Sequence, residues 1–172
     1  MSTRVRIIGI LAAALLASAA AGCGGSSTTS TSAAAATSTS TATPVPVVIK
    51  TATATVGSSS KSILTTDAGM TLYYFDPDST LSVACSGSCA GTWPPAAASS
   101  GQVRAAGTLP GMLTVLTSAN GKQVEYNGHP LYTYSGDTAP GQTHGDGIGG
   151  KWHVATPDMP VNTNTSVPSP NY

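Results

Sequence analysis

The sequence predicts a mostly β domain assembled from two similar halves, and three observations predict it. The stretch LYYFDPD at residues 72–78 returns as LYTYSGD at 131–137, fifty-nine residues later. Runs rich in Val, Ile, Thr and Tyr fill the second two-thirds of the chain, with Gly and Pro punctuating nearly every one. Helical periodicity of useful length is absent after residue 60.

The amino terminus stands apart from that domain. MSTRVRIIGILAAALLASAAAGC carries Arg4 and Arg6, then an uncharged apolar run from Ile7 to about Ala21, then small residues up to Cys23. This order describes a secretory signal peptide whose apolar stretch falls short of the roughly 20 residues of a membrane span. Residues 1–22 therefore read as a signal peptide. Ala20, Ala21 and Gly22 before Cys23 resemble a bacterial lipobox, although its commonest form has leucine where Ala20 stands. Cleavage there would make Cys23 the acylated first residue, and each buried methylene of an acyl chain contributes about 0.8 kcal/mol to anchoring. The expected location is the extracytoplasmic face of the cell membrane, or the exterior if the lipobox goes unused. Residues 23–46 are almost wholly Ser, Thr, Ala, Gly and Pro, too poor in bulky apolar groups to offset the entropy of ordering them, and read as a disordered tether.

The domain is placed at 47–157, with repeats at about 60–97 and 119–157 and a disordered tail at 158–172. Strand candidates are 45–56, 112–118 and 151–156. Two hairpins frame the motifs. KQVEYNGHPLYTY sets Asn127-Gly128, a pair that tolerates positive φ, between two strand-like runs. SILTTDAGMTLYYF has Asp67-Ala68-Gly69 at the corresponding place. At the same offset Gly69 matches Gly128, Tyr73 matches Tyr132, Phe75 matches Tyr134 and Asp78 matches Asp137, and the chain's two tryptophans, Trp93 and Trp152, fall on each other. On a strand Tyr73 and Phe75 share one face. That face, like the Tyr132/Tyr134 face, is expected to pack against a tryptophan of its own half. An exposed aromatic platform for a planar ligand is the alternative. Asp78 and Asp137, placed where each strand should end, are expected to fix turns or cap a short helical turn.

Cys85 and Cys89 are an even pair in an exported chain, most simply a disulfide; a metal or redox site would be the other use of the spacing. LYYFDPD, CSGSCAGTWPP and GHPLYTYSGDTAPGQTHGDGIGGKWHV together resemble the secreted repeat family of bacterial lipoproteins marked by a tyrosine, aromatic and aspartate motif, over about residues 60–157. The resemblance implies an exported, often lipid-anchored protein with paired repeats. It implies no activity and no catalytic residues.

Loss of residues 1–22 would leave five basic against seven acidic residues without a basic cluster, which argues against nucleic acid as a partner. The expected partners are the membrane, through the lipid, and an unknown envelope component or small molecule. No cofactor is implied, but His144, Asp146 and His153, near Asp137 and His129, are the residues that would hold a metal ion. HGDGIGG lacks the lysine of a phosphate-cradling loop. A serine nucleophile has no G-x-S-x-G elbow. Asp76, Asp78, Glu125 and Asp137 are the carboxylates a glycosidase could use, at separations the sequence leaves open. The functional expectation is a lipid-anchored binding or envelope-interaction module, with a metal-binding or redox-accessory lipoprotein as its alternative.

Overall fold

Strand β1 (Val47–Val56) turns back antiparallel onto β2 (Ser59–Thr66) through Gly57, whose φ of 61° suits a residue without Cβ. These and all later features come from a computed structural model describing residues 44–166. The signal peptide, Cys23 and the tether through residue 43 lie outside the described residues, as do 167–172. The short β3 (Tyr73–Phe75) follows a turn at Asp67-Ala68-Gly69, closed by Gly69 N–H donating to the Thr66 carbonyl. One helical turn, α1 (Cys89–Thr92), precedes Trp93, and β4 (Val103–Ala105) runs parallel to β1. β5 (Leu113–Ser118) and β6 (Gly121–Tyr126) form a second long hairpin, extended by β7 (His129–Pro130) across an Asn127-Gly128 turn with φ values of 50° and 77°. β8 (Trp152–Val154) completes the set after a 3-10 turn at Ile148–Gly150.

The expected strands and both expected hairpin turns are present. The sequence reading did not anticipate β4, whose three residues are too few to show a pattern, or the β1–β2 hairpin, whose β2 begins with four exposed polar residues.

Where neighbouring strand residues are both buried, they separate two apolar clusters. Ile63 joins one cluster and its neighbour Leu64 the other. Tyr73 and Leu72 divide in the same way, as do Tyr132 and Leu131, and Val154 and Ala155. Alternation of side chains along a strand makes this split automatic. One cluster holds Ile49, Leu64, Leu72, Val124, Tyr126, Leu131 and Met159; the other gathers the aromatic motif residues around Trp93 and Trp152.

The two halves exchange their ends. β3 of the first repeat pairs with β8 of the second, with Tyr73 opposite Val154 and Phe75 opposite Trp152. In return, Pro95 of the first repeat bridges to Tyr132 of the second. The backbone bonds repeat the exchange. Ala155 N–H donates to the Leu72 carbonyl at 2.8 Å, and Ala96 N–H donates to the Leu131 carbonyl at 2.8 Å. At the centre Tyr73 and Tyr132 exchange N–H···O bonds of 2.8 and 2.9 Å.

The expectation that each aromatic face lies against its own tryptophan is therefore half right. Tyr73 meets Trp93 edge-on at 5.5 Å and Tyr132 meets Trp152 edge-on at 5.2 Å, but the stacked partners cross over. Phe75 stacks on Trp152 at 4.3 Å, and Tyr134 lies against Trp93 at 4.5 Å. Residues 158–166, expected as part of a disordered tail, include anchored positions. Met159 is buried, and Asn162 N–H donates to the Asn127 carbonyl. A polar, unpatterned segment gives no sequence sign of such side-chain anchoring.

Candidate functional site

Two groups of side chains could carry chemistry. The first is the centre of the exchange. Trp93 and Trp152 lie parallel, 3.7 Å apart with 3° between their planes. Each is flanked by a tyrosine whose hydroxyl donates to the aspartate of the opposite repeat: Tyr73 to Asp137 Oδ2 at 2.5 Å, and Tyr132 to Asp78 Oδ2 at 2.8 Å. The motif's tyrosine and aspartate thus work as a pair in space although never within one copy. Each aspartate also accepts a backbone N–H that fixes the loop after its strand, from Ala84 to Asp78 and from His144 to Asp137. The turn role expected of these aspartates is present; the short helical turn is not, because Ser79 Oγ accepts the Leu81 and Ser82 N–H groups and holds a tight turn there. Burial pushes the Asp78 carboxyl up to about 6, although its hydrogen-bond donors pull the other way. Burial, reinforced by the partner aspartate, pushes both phenols well above their ordinary value.

The second group lies where the repeats differ. Tyr74 on β3 sits between two imidazoles, His129 of β7 at 4.7 Å and His153 of β8 at 5.3 Å. His153 Nε2 is 3.0 Å from Asp76 Oδ2. His129 Nε2 contacts the Pro160 carbonyl at 3.2 Å, while its Nδ1 is buried without a partner. Burial raises the Tyr74 phenol and lowers the His129 imidazole. Beside them lies an open cavity of about 360 Å³, with Lys61, Tyr74, Asp146, His153 and Asp158 among its walls. At the matching positions of the other repeat stand Thr133 for Tyr74, Met70 for His129, Pro94 for His153, Ser135 for Asp76 and Gly87 for Asp146. The pseudo-symmetry therefore breaks at this face. Comparison of the two repeats marks each of these positions as unmatched, but it does not show that they meet in space.

His144, Asp146 and His153 do not converge. His144 Nδ1 lies 3.3 Å from Asp137, Asp146 accepts the Val154 N–H at 3.0 Å, and His153 faces Asp76. Among the described residues no three of His, Cys, Asp and Glu gather as a metal donor set. The four candidate carboxylates share no hydrogen-bond partner. Glu125 instead accepts from Thr114 on the neighbouring strand, and burial raises its carboxyl. Cys85 and Cys89 form the disulfide, with Cys85 buried against the tryptophan cluster.

A family described as a secreted repeat of unknown function matches the chain twice, over residues 54–97 and 114–156, half of its length. The chain belongs to that family. In this secreted-repeat protein the two matches enclose both motif strands, both tryptophans and both aspartates of the central exchange. Membership places the folded part outside the cytoplasm. No curated protein and no solved structure matches the chain. Among the described residues no helix is long and apolar enough to cross a membrane.

Proposed function

We propose that this secreted-repeat protein is a lipid-anchored binding module of the cell envelope. Acylated Cys23 holds it at the membrane, and the Ser/Thr-rich tether sets the folded domain away from the lipid. The face bearing Tyr74, Asp76, His129 and His153 meets its partner. One observation carries this reading: the residues the repeats share are consumed in the buried exchange, whereas the polar aromatic face is built from residues they do not share and borders an open cavity. A face whose polar side chains the duplicated framework does not require is where recognition is supported best.

Two measurements test it. Mass spectrometry of the membrane fraction is expected to find Cys23 amino-terminal and acylated, and Cys23→Ser to release the protein to the medium; a free, unacylated Cys23 in the membrane fraction contradicts the anchor. Amide shifts of the mature protein titrated with cell-wall fragments are expected to cluster around Tyr74, His129 and His153. Shifts confined to other faces would remove this site. Uptake of Zn, Cu(II) or Fe tighter than about micromolar, about 8 kcal/mol, would favour a metal-binding protein instead.

A further inference from the structure

The central exchange has a chemical property that packing does not require. Phe75, Trp152, Trp93 and Tyr134 form a continuous row of four rings, with centroid separations of 4.3, 3.7 and 4.5 Å. Both tryptophans are buried, whereas Tyr134 is partly exposed and gives the row one electron-rich end at the surface. Two parallel indoles at 3.7 Å overlap in their π systems, so a positive charge left by removal of one electron spreads over both rings.

A tyrosine beside them can fill that vacancy only if it loses its proton in the same event, because an oxidised phenol that keeps its proton is a very strong acid. Tyr73 has the base it needs: its hydroxyl donates to Asp137 at 2.5 Å, and its ring meets Trp93 edge-on. Tyr132 has the same arrangement with Asp78 and Trp152. The two sides differ beyond the carboxylate. Asp137 Oδ1 lies 3.3 Å from Nδ1 of His144, whose side chain is 63% exposed. In the other repeat the position of His144 is Cys85, locked in the disulfide, which offers Asp78 no imidazole. Of these two buried phenols, Tyr73 alone has a proton route to water through an exposed imidazole.

We infer that Tyr73 is a redox-active tyrosine, fed by the Trp93/Trp152 pair and deprotonated through Asp137 and His144. A one-electron oxidant at the surface, of the oxygen-derived radical class, takes an electron from the row and leaves the tryptophan pair as a radical cation. Tyr73 returns one electron to that pair while its O–H proton passes to Asp137. Rotation of the protonated Asp137 carboxyl carries that proton from Oδ2, where Tyr73 delivered it, to the side facing His144. A neutral His144 imidazole with its proton on Nε2 accepts it at Nδ1 and releases a proton to water from Nε2. The balance is one electron gained by the oxidant, one proton gained by water, and a neutral phenoxyl radical on Tyr73. A thiol or enediol reductant restores the phenol by supplying one electron, as a proton returns along the same path. Gly145 completes the site. Its N–H donates to the phenol oxygen at 3.3 Å, and a Cβ there would lie 2.9 Å from both the Tyr73 and Trp93 rings, so only glycine lets the backbone close over them.

Flash photo-oxidation of the purified protein with a ruthenium polypyridyl sensitiser and persulfate, followed by transient absorption and electron paramagnetic resonance, tests this. A tryptophan radical is expected first, giving way to a tyrosyl radical. Tyr73→Phe is expected to abolish the tyrosyl signal and prolong the tryptophan radical; Tyr132→Phe is expected to change neither; His144→Ala is expected to slow the transfer. A tyrosyl signal unchanged in Tyr73→Phe overturns the inference. Should that variant fail to fold, pulsed measurements on the wild-type protein decide. A phenoxyl oxygen hydrogen-bonded to a nitrogen-borne proton, that of Gly145, is expected, and a mobile, water-exposed tyrosyl radical overturns the inference.

Discussion

Asp78 shows what burial does to a single side chain. It is 1% exposed, and its carboxyl titrates at about 6 instead of the ordinary 3.8. The folded protein thus holds the proton more tightly than the unfolded chain. The resulting stability is fully present below pH 4 and is lost as pH rises through 6, amounting to about 3 kcal/mol for a shift of this size. Thermal unfolding followed from pH 4 to 7 should show a falling midpoint that Asp78→Asn flattens. The phenols have the same sign at higher pH. Held neutral well above their ordinary value, Tyr73 and Tyr132 contribute stability that is present below pH 10 and disappears above it, when the unfolded phenols ionise. Tyr132→Phe removes a donor from a buried carboxylate and should cost about 1.5–3 kcal/mol in a denaturant titration.

Individual elements here depend on close approach more than on propensity. The Asn127-Gly128 turn is readable from its dipeptide, since both residues take positive φ. A Cβ at Gly128 would also lie 3.0 Å from the Thr80 methyl. Gly145 reads as one more glycine in HGDGIGG, yet its backbone rests directly on two aromatic rings. Gly145→Ala should destabilise by about 1–3 kcal/mol through overpacking and change the near-ultraviolet circular dichroism of the tryptophan pair. The disulfide closes a local loop beside that pair. Cys85→Ala with Cys89→Ala should cost roughly 2 kcal/mol by loop-closure entropy and leave the fold in place, as a two-state denaturant curve would show.

At the scale of the whole molecule the exchange makes the halves mutually obligatory. Each motif strand finds its hydrogen-bonded neighbour in the other repeat, and each aspartate its phenol. A polypeptide ending near residue 106 should therefore stay unfolded, as should one beginning near 107. Mixing the two should restore the circular dichroism of the intact chain; independent folding of either would contradict the exchange. Trp93→Ala strikes both halves at once and should cost about 3–5 kcal/mol in a denaturant titration.

The sequence by itself determined the β class, the duplication and the identity of the paired residues. Period-two patterning, turn dipeptides and the fifty-nine-residue offset are local or one-dimensional signals. Tertiary structure alone decided which copy each residue serves. An alignment of LYYFDPD on LYTYSGD is the same whether the repeats pair within themselves or across each other. The backbone bonds and ring contacts are what distinguish the two arrangements, sending Tyr73 to Asp137 and Tyr132 to Asp78. The face around Tyr74, His129 and His153 was illegible for a related reason. Its members are far apart in the chain and unmatched by the repeat, and they meet only because β3, β7 and β8 come together.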